Sequence, residues 1–181
     1  MRPPRPGREA GDGVLRRQPV ERDDHPVTVR RNPWITDVTD ADLVAQYRFG
    51  KQVRDKTTEA NNAVIAIRRV KTQLDDRTKR AANDAALTSA GETLRTNASG
   101  VEETVYQVRN QSGQDPLNFP IKVNNRLANL LAMSERGDGR PTTNMPEIFG
   151  ILSTELKGYT TKLEQVWKVD LAAVNKELAR L

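Results

Sequence analysis

A chain of 181 residues is long enough for one domain, and its 36% hydrophobic, 4% aromatic and 29% charged residues suit long amphipathic helices better than a β-sandwich or an α/β core. No cysteine occurs, which excludes disulfides and thiolate metal sites but leaves the compartment open. The net charge of +5 is uneven: residues 1–31 hold eight arginines against five acids, so residues 32–181 carry only +2, and a clustered basic face for phosphates is not indicated.

Residues 1–26 are rich in Arg, Pro and Gly with almost nothing to bury, and disorder is the expected state of this tail. Arginines stand near the start, but no apolar segment of a signal peptide comes after them. Residues 27–38 read as a strand remnant and linker. Val27 and Val29 alternate onto one face, and Asn32-Pro33-Trp34 ends the run. Residues 39–181 are expected to form the folded part.

The first helix has a marked start. Thr39 and Asp42 stand at capping-box spacing, and Val38 and Leu43 occupy the hydrophobic-staple positions. An inward row then runs from Leu43 through Gln46, Gly50, Val53, Thr57, Ala60, Val64, Ile67, Lys71, Leu74 and Thr78 to Ala81 without a proline. A rod of about 40 residues measures about 60 Å and needs partners to be stable. The second row is Leu87, Gly91, Leu94, Ala98, Val101, Val105 and Val108, with a break allowed near Ser99-Gly100.

Next comes a polar loop, Asn110-Gln111-Ser112-Gly113-Gln114-Asp115-Pro116. Pro120 fits the first turn of a short third helix carrying Ile121, Leu127, Leu130 and Leu131 inward. Gly137-Asp138-Gly139-Arg140-Pro141 is a stop. The fourth helix starts near Asn144, with Pro146 in its first turn and Glu147 completing a cap. Its inner row is Ile148, Leu152, Leu156, Tyr159, Leu163, Val166 and Val174. Short connections favour antiparallel neighbours. The expected fold is all-α: an antiparallel up-down bundle of three long helices and one short one.

Chemistry is sparse in this pattern. The single histidine, His25, lies in the arginine-rich tail, so a His- or Cys-based nucleophile relay has no members in residues 39–181. The acids, Glu102-Glu103 and Asp75-Asp76 among them, read as solvated helix faces. Asp138 between two glycines reads as a tight turn rather than a calcium loop, because no spaced acids accompany it. No phosphate-binding glycine pattern occurs, and no cofactor is implied. Trp34 is read as covering the bundle's end and Trp167 as sealing its edge.

The candidate site is therefore the loop together with the asparagines just beyond it: Asn110, Gln111, Ser112, Gly113, Gln114, Asp115, Pro116, Asn118, Asn124 and Asn125. As structure, these residues would cap helix ends at the end of the bundle. As function, they would grip a sugar or a partner's backbone.

The run Asn110–Ile121, then Asn124-Asn125-Arg126-Leu127-Ala128-Asn129-Leu130-Leu131, then Gly137-Asp138-Gly139-Arg140-Pro141-Thr142, resembles the C-terminal end of bacterial sortilin-like (VPS10-type, BNR/Asp-box) β-propeller proteins, often labelled glycosyl hydrolases. The likeness covers about residues 26–181. It implies a helical tail after a propeller and a small β-sandwich, with Pro26–Arg31 as that sandwich's last strand. In this chain Asn32-Pro33-Trp34 replaces a motif closer to Asp-Pro-Arg, residues 1–25 do not read as sandwich, and no Ser-x-Asp-x-Gly-x-x-Trp box occurs. The resemblance implies a fragment or truncated reading frame of an exported protein. Its partner would be its own or a neighbouring β-propeller or β-sandwich, any hydrolase activity would reside in the propeller, and association between copies is left open. Nucleic acid is the disfavoured alternative.

Overall fold

The computed structural model describes residues 32–82 and 84–181, except the side chain of Pro116. The expected tail and the Val27/Val29 strand lie outside the described residues.

Helix α1 spans Asp40–Arg80. Its start forms as the local pattern dictates: Thr39 Oγ1 accepts from the Asp42 amide at 3.2 Å, and Asp42 Oδ2 accepts from the Thr39 amide at 3.0 Å. Asp42 also accepts from Arg140 Nε at 2.8 Å, which ties the Gly137–Pro141 stop to this end. The helix closes at Ala82, which takes the left-handed conformation with φ 49°. Asp84 then caps the next helix, accepting from the Leu87 amide at 3.0 Å.

Helix α2, Ala85–Val105, runs back along the second half of α1, with Gly91 against Leu74 and Glu102 against Arg68 and Lys71. A Cβ at Gly91 would sit 3.0 Å from a Leu74 methyl, so this is where the two helices approach closely. No break occurs at Ser99-Gly100. Ala98 and Val101 hold this stretch in the core, and Gly100 faces open space. Because only conformational entropy is at stake there, Gly100→Ala is expected to raise stability by about 0.5–1 kcal/mol, read from the thermal melt.

Helix α3, Val123–Ser134, continues in the same direction along the first half of α1. Asn124 meets Asn61, and Gln46 donates to the Ser134 carbonyl at 2.8 Å. Thus α2 and α3 are successive pieces of one descending leg. Helix α4, Asn144–Val166, passes through a π turn at Trp167–Leu171 into α5, Ala172–Arg180. This leg ascends beside α1, placing Phe149 edge-on to Phe49 at 5.9 Å near one end and Arg180 beside Asp84 near the other. The described residues therefore form the expected all-α antiparallel bundle.

The inward rows need adjustment where two neighbouring apolar residues compete for one slot. Gln46 and Gly50 face α3 as their row has them and Phe49 beside them is buried as well, whereas Phe149 points inward in place of Ile148, which is 39% exposed. The larger ring wins because each phenylalanine supplies the other's edge contact. Val123 replaces Ile121 in the core, since the helix begins at Val123 and Pro120 lies before it rather than in its first turn. Val108 is 40% exposed because α2 stops at Val105. Pro146 does sit in the first turn of α4, but no side-chain cap involving Glu147 forms there; Thr142 instead donates to Asn144 at 2.6 Å. Trp34 is 89% exposed and does not bury its ring over the bundle's end, whereas Trp167 is half-buried against the core.

Candidate functional site

The loop leaves the descending leg where α2 gives way to α3, halfway along α1. Tyr106 before it stacks under Arg68 at 5.0 Å, and Asn124 after it donates to Asn61 at 3.2 Å. The expected placement at the bundle's end is therefore corrected to its middle. The reason is topological: α2 and α3 share one direction, so the link between them bulges sideways instead of turning a corner.

The base of the loop is closed by Gln107, which is 5% exposed. Its Nε2 donates to the Pro120 carbonyl at 2.8 Å, and its Oε1 accepts from the Arg109 amide at 3.3 Å. Arg109 lies over the Phe119 ring at 5.7 Å. The crest is organised by Asp115, whose carboxylate accepts from the Gln111 amide, from the Ser112 amide at 2.7 Å and from the Ser112 hydroxyl at 2.9 Å. A 3₁₀ turn, Asp115–Leu117, comes next, and the amides of Asn118 and Phe119 both return to the Asp115 carbonyl at 2.9 Å. The loop thus bonds chiefly to itself. Lys122, at the N-cap of α3, makes no side-chain cap, and the backbone amides that the Asp115 carboxylate satisfies are those of the loop itself.

The structure brings Asn110, Gln111, Ser112, Gly113, Gln114, Asp115, Pro116 and Asn118 into this one turn system. Asn124 and Asn125 sit apart from it, in the first turn of α3. Asn124 is 8% exposed, and its Oδ1 has no hydrogen-bond partner; the same holds for the buried Oδ1 atoms of Asn110 and Asn125.

The Asp115 carboxyl is held below the usual aspartate range by the amides of Gln111 and Ser112 and then by the Ser112 hydroxyl. Its folded value being depressed, the ordering it provides is present above the ordinary aspartate value and is lost as pH falls through the lowered one. Asp115→Ala, which removes the acceptor, is expected to abolish the protection of the Gln111 and Ser112 amides against hydrogen exchange while leaving the helical melt almost unchanged.

Sequence reasoning misses the apolar part of the site. Leu117 is 88% exposed at the crest, and Val108 and Ile121, placed inward by their rows, are instead 40% and 41% exposed on the two strands of the loop. A shallow cleft of about 240 Å³ lies between Glu103, Gln107, Val108, Arg109, Phe119, Pro120 and Lys122. The one signal in the sequence is the spacing of Gln107 and Pro120 about the polar run, but nothing in composition distinguishes a closing glutamine from a solvated one.

Glu102 also departs from its expected solvated place. It is 5% exposed, and its two oxygens accept from Arg68 Nε and Lys71 Nζ at 2.7 Å each. Burial pushes this carboxyl up, but the hydrogen bonds and charges of Lys71 and Arg68 together outweigh burial and hold it below the usual glutamate range. Asp138 lies on a groove with Leu43, Gln46 and Tyr47, and no group of three His, Cys, Asp or Glu suited to a metal ion occurs among the described residues. None of the helices among the described residues is long and apolar enough to cross a membrane.

No family model, no curated protein and no solved structure matches this chain.

Proposed function

We propose that the bundle is a non-catalytic accessory module of the kind that its sequence resembles, the helical C-terminal region of an exported sortilin-like β-propeller protein, and that it works by docking on a β-propeller or β-sandwich domain. The observation that carries this reading is Leu117: an 88% exposed leucine on the crest of a loop whose polar groups are tied to one another. An unordered loop would lose conformational entropy on binding, and a preorganised one loses less. The same loop also exposes Val108 and Ile121 and carries the stacked Arg109–Phe119 pair, a mix of apolar and polar groups suited to a contact surface. The carboxylate in the loop, Asp115, is committed to three hydrogen bonds, which suits holding shape.

The test starts from the DNA directly upstream. A frame encoding Asp-box propeller repeats is expected there. Titration calorimetry of its product with the bundle should give saturable binding that Leu117→Asp weakens at least ~10-fold, in line with loss of an interface anchor. Unrelated upstream sequence, or a propeller that does not bind, ends the proposal.

A further inference from the structure

The bundle contains two cores. The larger gathers 14 buried side chains from α1 as far as Ile67, the end of α2, α3 and α4. The smaller consists of Leu74, Leu87, Leu94 and Val174, from the end of α1, the start of α2 and α5. Val166 and Trp167 pack against both. At that junction the backbone changes its winding, because Trp167–Leu171 is the π turn. An inserted π turn interrupts the regular α-helical ladder and marks a place where a long helix bends at low cost.

Within the turn, Asp170 accepts from Asn97 Nδ2 at 2.8 Å, and beyond it α5 buries Val174 with Leu74, Leu87 and Leu94. At the tip, Arg180 donates to Asp84 at 2.7 Å and to Glu177 at 2.9 Å. Between α1 and α5 runs an open groove of about 380 Å³, with Val70, Leu74 and Arg77 on one bank and Leu171, Val174 and Leu178 on the other. The smaller core is thus walled on one side by a helix that water reaches from the groove.

We infer that this end of the bundle opens as a unit: α5 pivots at the Trp167–Leu171 turn and leaves α1 and α2 while the larger core stays folded, with the Arg180–Asp84 ion pair as the latch. A segment with a small core opens at lower free energy than the whole molecule and does so cooperatively with the elements that share that core. The elements that share it here are α5, the last turns of α1 and the first turns of α2. Opening uncovers Leu74, Leu87 and Leu94 together. The inference does not depend on the identity of the loop's partner.

Native-state hydrogen exchange on the full chain tests it. Amides of Ala172–Arg180 are expected to exchange at least ~10-fold faster than those of Leu127 and Leu130 in α3, with the boundary at the π turn. Arg180→Met, which spares the Asp84 cap, should speed α5 by ~2–5-fold, the range of a partly exposed ion pair. Val174→Ala should speed α5 and the Leu87–Leu94 stretch together by ~10-fold or more through the cavity it leaves, with α3 unchanged. Simple fraying of a terminus would leave Leu87–Leu94 untouched, and that result overturns the proposal. So does exchange of α5 at the α3 rate, or an equal acceleration of α3 by either variant.

Discussion

Leu127→Ala is expected to cost about 3 kcal/mol of folding stability, the middle of the range for emptying a fully buried leucine site. Leu127 is 0% exposed and belongs to the larger core, where α3 fills the space between α1 and α4. Neighbouring side chains are fixed on three helices, so the site has little freedom to collapse, and the cavity cost adds to the lost transfer energy. Leu117→Ala supplies the contrast: the same atoms are deleted from a side chain that is 88% exposed, and the melt should change by less than about 0.5 kcal/mol. Chemical denaturation of the two variants side by side measures both. Equal effects would mean that the loop crest is part of the core.

The second large effect is at Glu102. Alanine here is expected to cost about 2–3 kcal/mol. That is somewhat less than removal of one partner from a fully buried pair, because Arg68, at 53% side-chain exposure, can turn to water while Lys71, at 22%, is left without this carboxylate. Replacing Arg68, Lys71 and Glu102 together by apolar residues should recover most of that loss, since no unpaired charge remains. The pH dependence comes from the lowered folded value. The contribution of Glu102 is fully present above the ordinary glutamate value of about 4.3, and it disappears as pH falls through the depressed one. Glu102→Ala should therefore flatten the acid limb of the stability curve and leave its neutral part parallel to that of the parent. Asp42, Asp84 and Asp115, also held low by hydrogen bonds, keep acid sensitivity of their own.

How much of this is readable from residues alone depends on how local each cause is. The start of α1 is legible because Thr39 and Asp42 satisfy each other within one turn. The stop near Gly137 is a signal of the same kind. The inward face of α1 is legible because every third or fourth position repeats it for 41 residues. Phe149 over Ile148, and Phe49 inside the row, are not legible: adjacent apolar residues both fit the period, and the choice is made by the ring on the other helix. Glu102 looks like any acid on a charged helix until α1 places Arg68 and Lys71 opposite it. The π turn leaves no trace in composition, because one extra residue in a helix shifts the phase without changing its pattern.

The loop divides in the same way. Its turn residues are plain from Asn110 to Pro116, and Asp115 at the third position after Ser112 is a local hydrogen-bonding pattern. Its position on the bundle is not readable, because that depends on α2 and α3 pointing the same way. Its apolar crest is hidden because Val108 and Ile121 each match a helical period that stops short of them.

The central claim is that this loop is a self-ordered, outward-facing element seated on a bundle that does not need it. Gln107 Nε2 and the Pro120 carbonyl lie 2.8 Å apart, so a short Gly/Ser linker can replace Val108–Phe119 without stretching the legs. The direct measurement is the cooperative thermal melt of that shortened chain. A single transition within about 1 kcal/mol of the parent's stability is the predicted result. Loss of cooperativity, or a drop of several kcal/mol, would place the loop inside the folding unit and contradict the claim.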